Sequence, residues 1–181
     1  IWLTGVIRHS SMTSYPQYGI MSTNPLITKG KAGSPYSIID YYDVDPDLAV
    51  NPNNRMKEFE DLVERIKDKG MKVIIDFVPN HLAREYKSLY KPFDVEEFGE
   101  YDDKNVTFSK DNNFYYCPGQ EFVAPINNAV KNDSSEYVYK EFPAKASGND
   151  VFSSCPTIND WYDTIKLNYG VDYQNGCKSF D

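Results

Sequence analysis

Histidine and cysteine are scarce in this 181-residue chain, at two and three residues. Cys117, Cys155 and Cys177 are widely spaced and form no C-x-x-C pair, which argues against a structural zinc site. An odd count does not make a disulfide framework, so at least one thiol stays free and the redox compartment is left open. Long apolar runs are missing: none approaches the roughly 18 residues of a membrane helix, so no membrane span is expected. Basic excess is missing too. Nineteen Lys and Arg against 27 Asp and Glu leave a net charge of −8. A phosphate backbone rewards a basic face, so no nucleic-acid partner is expected, while neutral ligands such as sugars stay compatible. There is no internal repeat and no low-complexity tract; a signal peptide is absent from this stretch, but a piece of a longer protein would have lost one anyway.

The chain opens on Ile1-Trp2-Leu3, without Met and already inside an apolar run. Natural N-termini are usually more polar and frayed, so the chain is expected to be a piece of a longer protein. Tyr is abundant, at 15 residues, and Trp adds two. Aromatic faces suit the flat apolar faces of sugars, although most aromatics simply fill cores. Asn105-Val106-Thr107 and Asn132-Asp133-Ser134 match the glycosylation sequon, which matters only in a secretory eukaryotic host. A secreted or periplasmic location is favoured over a cytoplasmic one.

Residues 1–7 read as a short buried strand, and Arg8 to Lys31 as a long polar loop. The stretch from Ser34 to Pro46 has no helical period, and its Pro and Asp residues punctuate it into turns. Residues 54–69 predict an amphipathic helix. Met56, Phe59, Leu62, Val63 and Ile66 share one face, while Lys57, Glu60, Asp61, Glu64 and Lys67 face water. Asn53 or Asn54 is positioned to cap its start, and Gly70 to take the left-handed stop. Val73 to Val78 then reads as a buried strand. Strand, loop, helix and strand make a parallel α/β arrangement. Beyond residue 82 the pattern loosens into an irregular or β-rich subdomain, and Trp161 to Gly170 reads as a short helix.

Chemistry concentrates in Asp76-Phe77-Val78-Pro79-Asn80-His81. A carboxylate inside a buried strand costs several kcal/mol unless hydrogen bonds or a cation compensate. Pro79 ends the strand, so Asn80 and His81 project from its C-terminal edge, where parallel α/β sheets bind ligands. The competing reading is structural, with Asp76 tying down a loop and His81 an ordinary loop residue. His9, beyond the first strand, faces the same edge but reads as a loop residue.

The string resembles D-x-V-x-N-H, the first short motif of the α-amylase family (glycoside hydrolase family 13). Lys69-Gly70-Met71-Lys72 before it fits that family's helix-to-strand passage, and Ser34-Pro35-Tyr36 with Ile38-Ile39-Asp40-Tyr41 and Asp45-Pro46 resembles its substrate-side loop. Asp160-Trp161-Tyr162 through Leu167-Asn168-Tyr169-Gly170 resembles a stretch that some bacterial members carry before the fourth strand. The resemblance implies an α/β fold that is a fragment of a (β/α)8 TIM barrel, with an irregular, partly β subdomain inserted after the third strand. Residues 1–81 would be partial barrel, 82–160 the inserted B-like subdomain and 161–181 the return towards the fourth strand.

The resemblance also implies roles. Tyr36 would stack on the sugar at the cleaved bond and His81 would hydrogen-bond its hydroxyls. Asp76 and Asp40 would organise the site. Asn80 matches a position that ligates calcium in many members, through the hard oxygen calcium prefers. Tyr36 as a core aromatic and Asn80 as a turn cap are the plain alternatives. No organic cofactor is implied. The substrate would be an α-glucan or malto-oligosaccharide.

No catalytic residue is expected in this chain. The family's retaining mechanism uses two carboxylates about 5–5.5 Å apart, at the ends of the fourth and fifth strands. Nothing here fits the nucleophile motif G-x-R-x-D, and Ser147-Gly148-Asn149-Asp150 lacks the Arg. The remainder of a parent chain would be needed to close the barrel, and two strands alone would keep unpaired edges, so aggregation of the isolated chain is expected. Transglycosylation within the family, or a non-catalytic binding or assembly role, remain alternatives. A flavodoxin-like fold with Asp76 serving Mg²⁺ lacks the further acidic residues it would need.

Overall fold

The computed structural model describes residues 1–125 and 137–176, and the backbone of 178–179. The sequon at Asn132 and the third cysteine, Cys177, lie outside the described residues. Five strands and one helix make up the first half: β1 (Trp2–Leu3), β2 (Ile7–His9), β3 (Ile38–Val44), α1 (Arg55–Asp68) and β4 (Ile74–Ile75), followed by β5 (His81–Ala83). The parallel pairing expected between the first strand and the one after the helix forms: Trp2 of β1 pairs Ile74 of β4 and Leu3 pairs Ile75. The described strands make five two-stranded ladders. The architecture is a mixed α/β one with small sheets.

The helix is where the periodicity puts it, over Arg55–Asp68. Gly70 takes the left-handed stop at φ 72°, and the Met71 N–H closes back on the Ile66 carbonyl at 3.2 Å. The start differs from expectation. Asn54 holds the cap position without a side-chain bond, and Asn51 caps the 3₁₀ turn Pro52–Asn54 instead. The Glu58 carboxylate accepts from the N–H groups of Val50 and Asn51 at 2.8 and 2.9 Å, which ties the entering chain to the first turn.

Three expectations need correction. The stretch read as turns contains β3, the longest strand, paired antiparallel with β2 through bulged register. Alternation is hidden because Ile38, Ile39, Asp40 and Asp43 are all buried. The aspartates are tolerated because they are satisfied. Arg55 grips Asp43 with two parallel bonds of 2.7 and 2.8 Å, and Arg8 approaches it at 3.5 Å. Second, the strand read over Val73 to Val78 is two residues long, and Ile74 and Ile75 are exposed. Trp2 and Leu3 likewise form only a short, poorly covered strand, separate from β2. Third, Trp161 to Gly170 is not helical.

That last stretch holds β8 (Thr164–Lys166), which follows β6 (Tyr116–Cys117) and β7 (Ala144–Lys145) and precedes β9 (Val171–Asp172) and β10 (Lys178–Ser179). β8 pairs antiparallel with β5, setting Leu82 against Ile165. β-branched Thr164 and Ile165 suit that pleated surface, and tertiary burial of Ile165 overrides the four-residue spacing from Trp161. Leu82, Phe114, Tyr116, Ile165 and Leu167 form one core, and Ile27, Cys117, Phe122 and Ala144 a second. Arg84 links the strands. Its guanidinium donates to Glu141 at 2.7 Å, to the Tyr162 carbonyl at 2.5 Å and to Ser147 Oγ at 3.0 Å, and lies 3.8 Å above the Phe122 ring. No helix of the described residues is long and apolar enough to cross a membrane.

Candidate functional site

β4 runs parallel to β1 and ends at Ile75, so the residues that follow emerge at the C-terminal edge of that pair. A cleft of about 430 Å³ opens there, within the ~300–1,000 Å³ usual for small-ligand sites. Its lining gathers Tyr36 with Asp76, Asn80 and His81 from two separate parts of the chain, and adds Lys29, Trp161 and Asp163.

His81 sits at the start of β5, which the β8 ladder fixes. Its side chain is buried, at 3% exposure, and Nδ1 has no hydrogen-bond partner. A buried ring nitrogen left without a partner is costly, and this one is closed off from solvent as well. Burial pushes the imidazole below its ordinary value of 6.5, outweighing a backbone hydrogen bond with Tyr36 and the field of Asp163, while Lys166 pushes the same way as burial. The ring is therefore neutral at neutral pH, able to give or take one hydrogen bond. Close approach of the chain over it depends on Gly148. A Cβ there would meet Thr164 Oγ1 at 2.4 Å and His81 Cβ at 3.0 Å.

Tyr36 leaves its ring 45% exposed on the cleft. Asp76 lines the cleft but is half-buried and lies just past β4, not within a buried strand. The desolvation argument made from sequence therefore loses most of its force, because no second strand flanks β4 among the described residues. Asn80 is exposed at the rim, and its carbonyl accepts from the Leu167 N–H at 3.1 Å. Asp40 is apart from this group. It is fully buried, and its two oxygens accept from the N–H groups of Tyr42 and Leu89 at 2.9 and 2.7 Å, which pins the loop after β5 to β3.

Among the described residues no group of three or more His, Cys, Asp or Glu side chains could hold a metal ion, and calcium takes six to eight oxygens. His9, the other histidine, is a structural partner of Asp45 at 3.0 Å and is not on the cleft.

Sequence reasoning missed three cleft residues. Trp161 places its ring 5.2 Å from that of His81, tilted by 55°. Asp163 is buried and pairs with Lys29 at 3.4 Å. A tryptophan set in a polar stretch was the available signal for the first; nothing local marks Lys29 or Asp163.

The family model for the glucanotransferase domain of glycogen debranching enzyme matches residues 7–94. Maltase A2 of Drosophila melanogaster is 32% identical over 93 residues, covering 48% of this chain and 16% of its own length. These matches support a relation to the α-amylase family, at low identity. An α-glucosidase of Pediococcus pentosaceus aligns with 94% of this chain and 30% of its own length, at 24% identity over 173 residues. The amino acid transporter heavy chain SLC3A1 of Mus musculus is 43% identical over 51 residues, which is 28% of this chain and 7% of that protein. The chain thus spans less than a third of the length of these curated relatives. No solved structure gives a significant match.

Proposed function

We propose that this chain is the substrate-binding part of a retaining, α-glucan-active glycoside hydrolase, with nucleophile and acid/base supplied by residues outside it. In this reading residues 1–81 belong to a (β/α)8 barrel, and the segment that follows is its inserted B-like subdomain. The observation that carries the proposal is the convergence of Tyr36, Asp76 and His81 on one cleft at the C-terminal edge of the parallel pair. Names of the relatives, among them maltase and α-glucosidase, point to the same substrate class.

The residues divide the work as follows. Tyr36 offers an aromatic face to the C–H face of a glucose ring. Neutral His81 meets a hydroxyl through the edge of the ring that lines the cleft, and Asp76 accepts from a neighbouring hydroxyl or orders water. The Lys29–Asp163 pair carries no net charge, so the lining suits a neutral sugar more than an anion. Calcium at Asn80 is a separate proposal. It requires oxygen ligands from beyond the described residues, and no step here depends on it.

Titration of the full-length protein with maltotriose tests the reading. Tyr36→Ala is expected to weaken binding roughly tenfold, the scale of one lost aromatic contact. Unchanged affinity would remove Tyr36 from the site. Transfer stands beside hydrolysis, because the matching family model is named for a glucanotransferase; product analysis with maltotriose separates longer saccharides from glucose and maltose. A non-catalytic assembly role is the second reading, favoured by the match to a transporter heavy chain. Finding no strand-end carboxylate pair in the full-length protein would select it.

A further inference from the structure

We propose that Trp161 is a second sugar platform in this cleft, so that the cleft takes at least two linked glucose units. The inference rests on the α-glucan reading above and adds a residue and a minimum ligand length to it.

Trp161 leaves 43% of its surface open on the cleft, while the next residue, Tyr162, is fully buried. An indole retained for packing would follow Tyr162 inward. Instead its backbone is pinned so that the ring stays out. The Trp161 N–H donates to Asn149 Oδ1 at 3.1 Å, and its carbonyl accepts from the Thr164 N–H at 3.0 Å and from Thr164 Oγ1 at 2.9 Å. Asn149 is held in turn by Asp160 Oδ1 at 3.1 Å. Asp160 Oδ2 accepts from the Thr157 N–H and hydroxyl at 2.7 and 2.8 Å, and the Asp160 carbonyl accepts from Lys29 Nζ at 2.9 Å. An exposed aromatic mounted on so many bonds is pre-organised, which lowers the entropy lost on binding.

The second observation is His81. Its buried ring packs 5.2 Å from the indole, tilted by 55°, so the two side chains share one wall of the cleft that Tyr36 also lines. Linked pyranose rings present apolar C–H faces to such aromatics.

The test uses the full-length protein, a thio-linked maltoside that resists hydrolysis, and methyl α-glucoside. Isothermal titration should show Trp161→Ala weakening the maltoside roughly tenfold while the glucoside stays within about twofold. Trp161→Phe, which keeps an aromatic face, should restore most of the maltoside affinity. In the wild type, the indole N–H resonance assigned by its loss in Trp161→Phe should shift on adding maltoside. If both sugars bind normally to Trp161→Ala and that resonance does not move, this inference alone is overturned. Equal losses for both sugars overturn the two-unit assignment. If the wild type binds neither sugar, the α-glucan reading itself falls.

Discussion

The segment around β5 to β8 and the segment around β1, α1 and β4 treat their apolar side chains differently. In the first, Leu82, Phe114 and Ile165 are buried, and a charged hub at Arg84 satisfies the polar groups around them. In the second, Trp2 is 70% exposed and Ile74 is 61% exposed, and Met56 on the helix face is open as well. The first segment closes its own core. The second presents strands composed for burial without a cover among the described residues. The candidate cleft lies where the two meet, taking Asp76 from one and His81 and Trp161 from the other.

Several substitutions probe that contrast. Arg84→Ala removes the closer of two cations from buried Glu141, leaving Lys145 at 3.6 Å, and should cost about 3–5 kcal/mol in denaturant unfolding. Burial raises the Glu141 carboxyl while Arg84, Lys145 and hydrogen bonds from Lys145 and Tyr139 lower it, for a net value below the usual range. Next, Leu82→Ala should cost about 2–5 kcal/mol, whereas Ile74→Ala in the 181-residue chain should cost under about 0.5 kcal/mol. A large cost for Ile74→Ala in the full-length protein, absent in the isolated chain, would show that the remaining protein covers this face. Equal small costs in both would break the comparison.

Gly148→Ala forces a methyl into Thr164 Oγ1 and His81. It should destabilise by roughly 1–3 kcal/mol and weaken sugar binding together. The two histidines give the smallest and most diagnostic effect. Burial lowers the His9 value, but the Asp45 hydrogen bond and charge, with backbone bonds from Ile7 and Ala32, raise it further, for a net rise above 6.5. Its contribution to stability is therefore full below 6.5 and lost as pH rises through the folded value. His81 is shifted down, so its contribution is present above 6.5 and lost as pH falls through the depressed value. Histidine titrations followed by NMR should separate in these opposite directions; coincident curves would contradict both environments.

How much of this was legible depends on where the constraint lies. The helix was readable because its apolar spacing and Gly70 stop are local. β3 was not, because the groups that neutralise Asp43 come from Arg8 and Arg55, far away in sequence. Tyr36, Asp76, Asn80 and His81 line one cleft, while Asp40 lies inward and holds a loop. Trp161 was misread because its four-residue spacing to Ile165 imitates a helix. Pairing of β8 with β5 sends Ile165 to the core and leaves the indole outside.

The most direct test of the central claim is hydrolysis of an α-glucoside by the full-length protein and its His81→Ala variant. The account predicts that kcat/KM falls by roughly a hundredfold or more, the cost of leaving sugar hydroxyls unmet in a buried site, while the variant still folds. Full activity in that variant would contradict it.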